Sequence, residues 1–164
     1  DRLSRLYRTR RRLSGRNAKV GAVLSALDGV DVAHLAAHGT FRADNPQFSS
    51  LRLADGPLTV YDLDLVSSVP AVMVMPSCDS AVSDVGVGDE LLGLSAALLR
   101  MGVAGLVAPV VPIPDRETTP LMVELHRRMV SGEDTAAALA YVASTEARTF
   151  AERAARGAFV ALGA

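Results

Sequence analysis

The sequence is poor in the features that mark disulfide-rich, membrane-spanning and nucleic-acid-binding proteins. It has one cysteine and a formal net charge of −1 at pH 7. One cysteine cannot form an internal disulfide, which favours a reducing compartment, and a charge near zero argues against a general nucleic-acid binder. No apolar run approaches the ~20 residues that a membrane span needs, and the start lacks the layout of a signal peptide. We therefore expect a cytoplasmic protein that binds no membrane and no nucleic acid directly.

What the sequence does contain fits a single globular domain. Its 164 residues, 49% of them hydrophobic, are enough to bury a core. The chain begins at Asp1, inside an amphipathic segment with Leu3, Leu6 and Tyr7, so we expect the C-terminal part of a longer polypeptide. Basic residues crowd positions 1–20, which is typical of a solvated face, with a local basic patch as the alternative.

Short apolar runs alternate with helical patterns along the chain. The predicted strands cover residues 32–38, 70–78 and 104–111. The predicted helices cover residues 16–27, 89–102, 116–132 and 133–155. We expect Gly132 to end the third helix, and Asp134 or Thr135 to cap the fourth. Near-continuous apolar strands that alternate with helices predict α/β architecture, a three-layer sandwich with a mainly parallel central sheet.

A histidine and the single cysteine follow two of the predicted strands. The run over residues 32–38 ends at His38 and Gly39, and the next strand ends at Cys78. Ligand sites of such sheets lie beyond the carboxyl ends of the strands, and neighbouring strands are ~4.8 Å apart. An imidazole beside a thiol raises its thiolate fraction and can protonate a leaving amine. Gly39 has no side chain to obstruct a substrate, and its N–H suits an oxyanion.

Other interpretations of the same residues stay open. A lone cysteine is by default a small core residue, although the polar neighbours of Cys78 place it at the end of an element. His34 and His38 have the spacing of a helical zinc pair, but no glutamate follows the first and no third ligand stands out. We interpret His34 as a packed or supporting histidine and His126 as a helix-surface residue, and we expect no metal and no cofactor.

Several segments carry a family resemblance through their order and spacing between about Gly15 and Ala164. They read VAHLAAHGTF, NPQFSSLRLADGPLTVYDL, PAVMVMPSCDSA, GDELLGLSAALLRMGVAGLVAPVVPIPD and FVALGA. Together they resemble the CHAT domain, a caspase-like peptidase family that often follows tetratricopeptide repeats. The resemblance implies a caspase-haemoglobinase fold and cysteine peptidase chemistry by a dyad of His38 and Cys78. It also implies an N-terminal edge strand that this chain does not show.

Two departures from the family pattern concern the substrate pocket. The segment after the third strand commonly carries a tryptophan and here reads APVVPIPD, and Pro76 and Ser77 replace small residues before the nucleophile. We expect Pro76, Ser77 and Asp79 to bind substrate. Asp79 either favours a basic residue at the cleavage position or stabilises a turn. Residues 40–50 and 78–90 form the loops that we expect to line or gate the pocket.

The resemblance implies a protein or peptide substrate and control by an upstream repeat domain or an activating partner protein. We therefore expect residues 1–164 alone to be inactive or feeble. The alternatives are a catalytically silent caspase-like signalling module and a docking module that holds partners.

Overall fold

The computed structural model describes residues 2–40, 42, 45–76, 95–111, 113 and 115–163. The strands are β1 (Val32–His34), β2 (Gly39–Thr40), β3 (Ser50–Arg52), β4 (Pro57–Thr59), β5 (Val72–Val74), β6 (Gly105–Pro109) and β7 (Phe159–Gly163). The helices are α1 (Val20–Leu27), α2 (95–100), α3 (Asp115–Val130), α4 (Thr135–Ser144) and α5 (Phe150–Gly157).

The main sheet has four strands in the order β1–β5–β6–β7. The first three run parallel, and β7 is antiparallel to β6. All five residues of β6 are buried, as expected for a central strand covered on both faces. The predicted adjacency of the first two apolar strands and the mainly parallel sheet are therefore confirmed.

Successive residues of the strands in the main sheet pack in two separate hydrophobic cores. Met73 and Leu106 pack in one core with residues of α1, α2 and the second sheet. Val74 and Val107 pack in the other with residues of α3, α4 and α5. Because successive side chains of a strand point to opposite faces, the sheet is the middle of three layers. The predicted α/β sandwich is confirmed.

A second, antiparallel sheet joins β2, β3 and β4 in that order, and the sequence patterns did not predict it. Leu51 and Leu58 are paired in register and buried in the core that contains Met73. Their neighbours Arg52 and Pro57 are exposed. This sheet therefore has one buried face and one face toward solvent.

The predicted strand over residues 32–38 is too long. β1 ends at His34, and the N–H of Leu35 makes one further bond to the Val74 carbonyl, at 2.9 Å. Beyond it the chain leaves the main sheet and becomes β2, whose partner is β3. The apolar run is continuous because both sheets contact one core, not because one strand spans it.

The predicted helix over residues 133–155 is in fact two helices. Asp134 caps α4 as expected, since its carboxylate accepts hydrogen bonds from the N–H groups of Ala136 and Ala137. Thr145 is extended at the end of α4, and Thr149 then caps α5 by accepting a bond from Glu152 N–H. A second cap inside the helical pattern starts a new helix. Gly132 follows α3 with φ +91°, as predicted for a helix end.

Candidate functional site

The carboxyl ends of β1 and β5 lie side by side at one edge of the main sheet. The two strands pair in parallel, and His34 is in register with Val74. His38 and Cys78 each follow this pair by four residues in the sequence. The ladder continues past both ends, because Leu35 N–H binds the Val74 carbonyl and Met75 N–H binds the Val107 carbonyl. The segments that follow β1 and β5 therefore leave the sheet side by side, at the ends of two hydrogen-bonded strands.

The second sheet holds the backbone of His38. The N–H of Arg52 donates to the His38 carbonyl at 2.7 Å, and Gly39 is in register with Leu51. His38 thus lies opposite Arg52, on the face away from the buried Leu51. Both residues are exposed. The candidate base is therefore solvent-accessible and has a cationic side chain as its cross-strand neighbour, which the sequence analysis missed.

Gly39 is buried, and the register of β2 decides where its N–H points. In an antiparallel ladder, hydrogen-bonded and non-hydrogen-bonded pairs alternate. The bond between Arg52 N–H and the His38 carbonyl makes Gly39 and Leu51 a non-hydrogen-bonded pair. The N–H of Gly39 is consequently directed away from β3, toward the outer edge of β2. This direction suits the expected role of Gly39 as an N–H donor.

The structure describes only part of the expected site. Pro76 is buried two residues after the end of β5. Cys78, Ser77 and Asp79 lie outside the described residues, so the expected contact between His38 and Cys78 stays a prediction. The whole expected loop over residues 78–90, and residues 41, 43 and 44 of the loop over residues 40–50, also lie outside them.

His126 is buried, and its interpretation as a helix-surface residue is wrong. It lies in α3 and is 1% exposed. Met122 and Met129, four residues before and three residues after His126 on the same helix face, pack in the core beside α3. This spacing was the signal that could have identified His126 as a member of the buried face.

His34 and His126 form a hydrogen-bonded pair that a tyrosine extends. His34 Nδ1 lies 2.9 Å from His126 Nε2, and the Tyr7 hydroxyl lies 2.6 Å from His126 Nδ1. The His126 ring meets each neighbouring ring edge-on, at centroid distances of 5.0 Å to His34 and 5.7 Å to Tyr7. The interpretation of His34 as a packed histidine agrees with this partner, which sequence patterns did not reveal.

Both buried imidazoles are held neutral. Burial, together with the charge of His126, lowers the pKa of His34 to about 4. Burial lowers the pKa of His126 to about 4 as well. Burial also raises the pKa of the Tyr7 hydroxyl, which therefore keeps its proton. At neutral pH the three groups are uncharged hydrogen-bonding partners.

The part of the chain that the structure describes contains neither a metal site nor a membrane span. No group of three or more His, Cys, Asp or Glu side chains there could hold a metal ion. Within those same residues, no helix is long and apolar enough to cross a membrane.

Comparison with known proteins gives one family. The sequence model described as CHAT domain matches residues 1–155, which is nearly the whole chain. No curated protein matches the chain.

Proposed function

The chain belongs to the CHAT domain family, which is related to caspase-like peptidases, and on that premise we propose that it is a cysteine peptidase with a dyad of His38 and Cys78. The observation that carries the proposal is the parallel, in-register pairing of β1 and β5. Because of this pairing, the segments that lead to His38 and to Cys78 leave the sheet at the same edge. Parallel α/β proteins bind ligands at this edge.

The number of residues between each strand and its candidate residue supports contact between the side chains of His38 and Cys78. His38 and Cys78 are each four residues beyond the pair of His34 and Val74. Four extended residues span at most about 14 Å, and neighbouring strands lie ~4.8 Å apart. The pairing therefore allows the imidazole and the thiol to come within hydrogen-bonding distance.

The reaction divides into acylation and hydrolysis. The sulfur of Cys78 attacks the carbonyl carbon of the scissile peptide bond, and His38 takes the thiol proton. His38 then gives this proton to the leaving amine as the carbon–nitrogen bond breaks, which leaves an acyl-enzyme. A water molecule, deprotonated by His38, attacks the acyl carbon and releases the acid product and the thiol. The outward N–H of Gly39 is placed to stabilise the oxyanion of each step.

The substrate of this proposed peptidase is a protein or peptide. Pro76, Ser77 and Asp79 flank the nucleophile in the sequence and are the proposed substrate-binding residues. We propose that an upstream repeat domain or a partner protein controls the site, since an activator that binds the competent conformation more tightly shifts the population toward it.

The test is the rate at which a thiol-directed peptide electrophile labels the protein. Cys78→Ala removes the only thiol and abolishes labelling. His38→Ala slows labelling at least about tenfold, because the thiolate loses its ion-pairing partner. Ser67→Ala, a change at an exposed residue that precedes β5 at the opposite edge of the sheet, is the control and labels at the wild-type rate.

Equal labelling of the wild type and His38→Ala would contradict the dyad. It would favour the alternative function, a catalytically silent module for signalling or docking. Mass spectrometry of the intact protein measures the labelled fraction directly, and the same variants are then compared on a cleavable peptide.

A further inference from the structure

The hydrogen bonds among Tyr7, His126 and His34 connect the N-terminal segment to the strand end that precedes His38. We propose that Tyr7 and His126 are positioning residues that transmit the docking of the N-terminal segment to the loop carrying His38. The proposal rests on the function proposed above for His38, but the coupling itself can be measured without peptidase activity. No sequence pattern indicated which residues carry this coupling.

The N-terminal part of this connection is docked on α3. Tyr7 follows a 3-10 turn over Ser4–Leu6. Leu3 packs against the core formed by α3, α4 and α5, and the Tyr7 hydroxyl reaches His126 on α3. A change in the docking of residues 3–7 therefore acts first on His126 Nδ1.

Two proton orders fit these contacts, because a neutral imidazole has one donor nitrogen and one acceptor nitrogen. In the first order the Tyr7 hydroxyl donates to His126 Nδ1, and His126 Nε2–H donates to His34 Nδ1. In the second order His34 Nδ1–H donates to His126 Nε2, and His126 Nδ1–H donates to the Tyr7 oxygen. In both orders the two histidines carry their protons on the same ring position, so the role of the Tyr7 oxygen is linked to the tautomers of both histidines.

The far end of the connection is the anchor of the His38 loop. His34 is the last residue of β1, and its side chain is tied to α3 while its strand is tied to β5. Residues 35–38 leave the sheet from this point and enter β2. The orientation of the His34 ring therefore sets the start of the short segment that delivers His38 to the site.

Tyr7→Phe is the decisive variant, because it removes one hydroxyl and keeps the ring. The control is Tyr61→Phe, the same atomic change at a tyrosine that is 61% exposed and lies in the second sheet's 3-10 turn. Imidazole nitrogen spectra at pH 7 identify the protonated nitrogen of each histidine. Backbone amide spectra report on residues 35–40.

In the wild-type protein we expect both histidines to be protonated on the same ring position, either Nε2 in both or Nδ1 in both. Tyr7→Phe changes the chemical shifts of the imidazole nitrogens of His126 and His34 and of the backbone amides of residues 35–40. Tyr61→Phe leaves all of these chemical shifts unchanged. A Tyr7→Phe spectrum with unchanged His34 and unchanged amides 35–40 overturns the proposal. Changes confined to His126 also overturn it, because a purely local structural contact would give that result.

Labelling of Cys78 by the peptide electrophile adds a functional measurement. Tyr7→Phe lowers the labelling rate constant by about threefold to thirtyfold without changing the half-saturating electrophile concentration, because geometry and not binding is altered. An unchanged rate constant in a protein that His38→Ala does slow overturns the coupling alone. If the wild type is labelled neither alone nor together with its activating repeat domain or partner protein, the proposed function fails, and the spectra still decide the coupling.

Discussion

The two histidines of the segment 34–38 occupy opposite environments although only three residues separate them. His34 belongs to the main sheet, where its half-buried imidazole is bonded to His126 of α3. His38 belongs to the connection into the second sheet, where it is exposed opposite Arg52. Burial lowers the pKa of the His34 imidazole to about 4 and keeps it neutral, whereas the exposed His38 is accessible to a substrate. The difference teaches that the sheet a histidine belongs to decides how far its side chain is buried.

The largest expected effect separates His38 from His34 by activity. His38→Ala lowers turnover about 10²–10⁴-fold, the usual contribution of a general base, and Cys78→Ala abolishes cleavage. Because His38 is exposed, the free energy of unfolding of this variant lies within about 0.5 kcal/mol of the wild-type value. His34→Ala lowers the melting temperature, and its loss of turnover is much smaller than that of His38→Ala and comparable to that of Tyr7→Phe. Peptide cleavage and thermal unfolding of the variants measure the two effects, and wild-type turnover in His38→Ala would refute the assignment of the base.

The next effect compares a leucine of the core with a leucine of the surface. Leu106 in β6 is fully buried, and Leu106→Ala lowers the free energy of unfolding by about 2–5 kcal/mol through lost contacts and the cavity left behind. Leu65, in the turn after β4, is 76% exposed, and Leu65→Ala changes the same quantity by less than about 0.5 kcal/mol. Denaturant unfolding of both variants gives the comparison. Similar losses would contradict the exposure of Leu65.

A third effect is the pH dependence that the buried histidines confer. Unfolding returns the pKa of His34 and His126 from about 4 to about 6.5. The unfolded state therefore binds more protons between these values, so stability is lost as the pH falls from about 6.5 to 4. Each histidine contributes at most about 3 kcal/mol to this loss.

Unfolding free energies of the wild type and of His126→Gln, measured from pH 7.5 to 4, isolate the contribution of the pair. We expect a smaller slope against pH in the variant, because one buried imidazole is absent and the other no longer faces a second one. Parallel curves would show that the buried pair does not cause the dependence.

The smallest effect concerns the turn that supports the second sheet. Asp62 Oδ2 accepts hydrogen bonds from the Thr59 N–H at 2.8 Å and from the Thr59 hydroxyl at 2.6 Å. Asp62→Ala therefore costs about 1 kcal/mol, the usual value for a lost turn or cap bond. Asp64→Ala, a change of the same type at an exposed residue of the same turn, is the control and stays within about 0.5 kcal/mol. Equal losses would assign the effect to charge in the turn and not to these bonds.

Sequence patterns were sufficient where one physical signal acts locally. The apolar runs 70–78 and 104–111 predicted β5 and β6, because strands covered on both faces must be apolar throughout. The helix ends at Asp134 and Gly132 could also be predicted from the sequence. Asp134 accepts hydrogen bonds from the first turn of the helix that follows it, and Gly132 lies directly after the end of α3 with a positive φ. The order and spacing of the segments identified the family, which the match over residues 1–155 confirms.

Tertiary structure decided which of these local elements belong together. The run 32–38 is equally apolar along its length, yet its first half pairs with β5 and its end pairs with β3. β7 follows a helical pattern as a short apolar stretch and becomes a strand only because the edge of β6 is open to it.

By itself, the sequence determined the α/β class, the family and the choice of His38 and Cys78 as candidates. Only the tertiary structure decided that His34 and His126 are buried partners, that Tyr7 joins them, and that Arg52 faces His38. The physical reason is distance along the chain: Tyr7 and His126 are 119 residues apart, and no local periodicity records a hydrogen bond between them. Burial of a polar side chain depends on the partner that folding supplies.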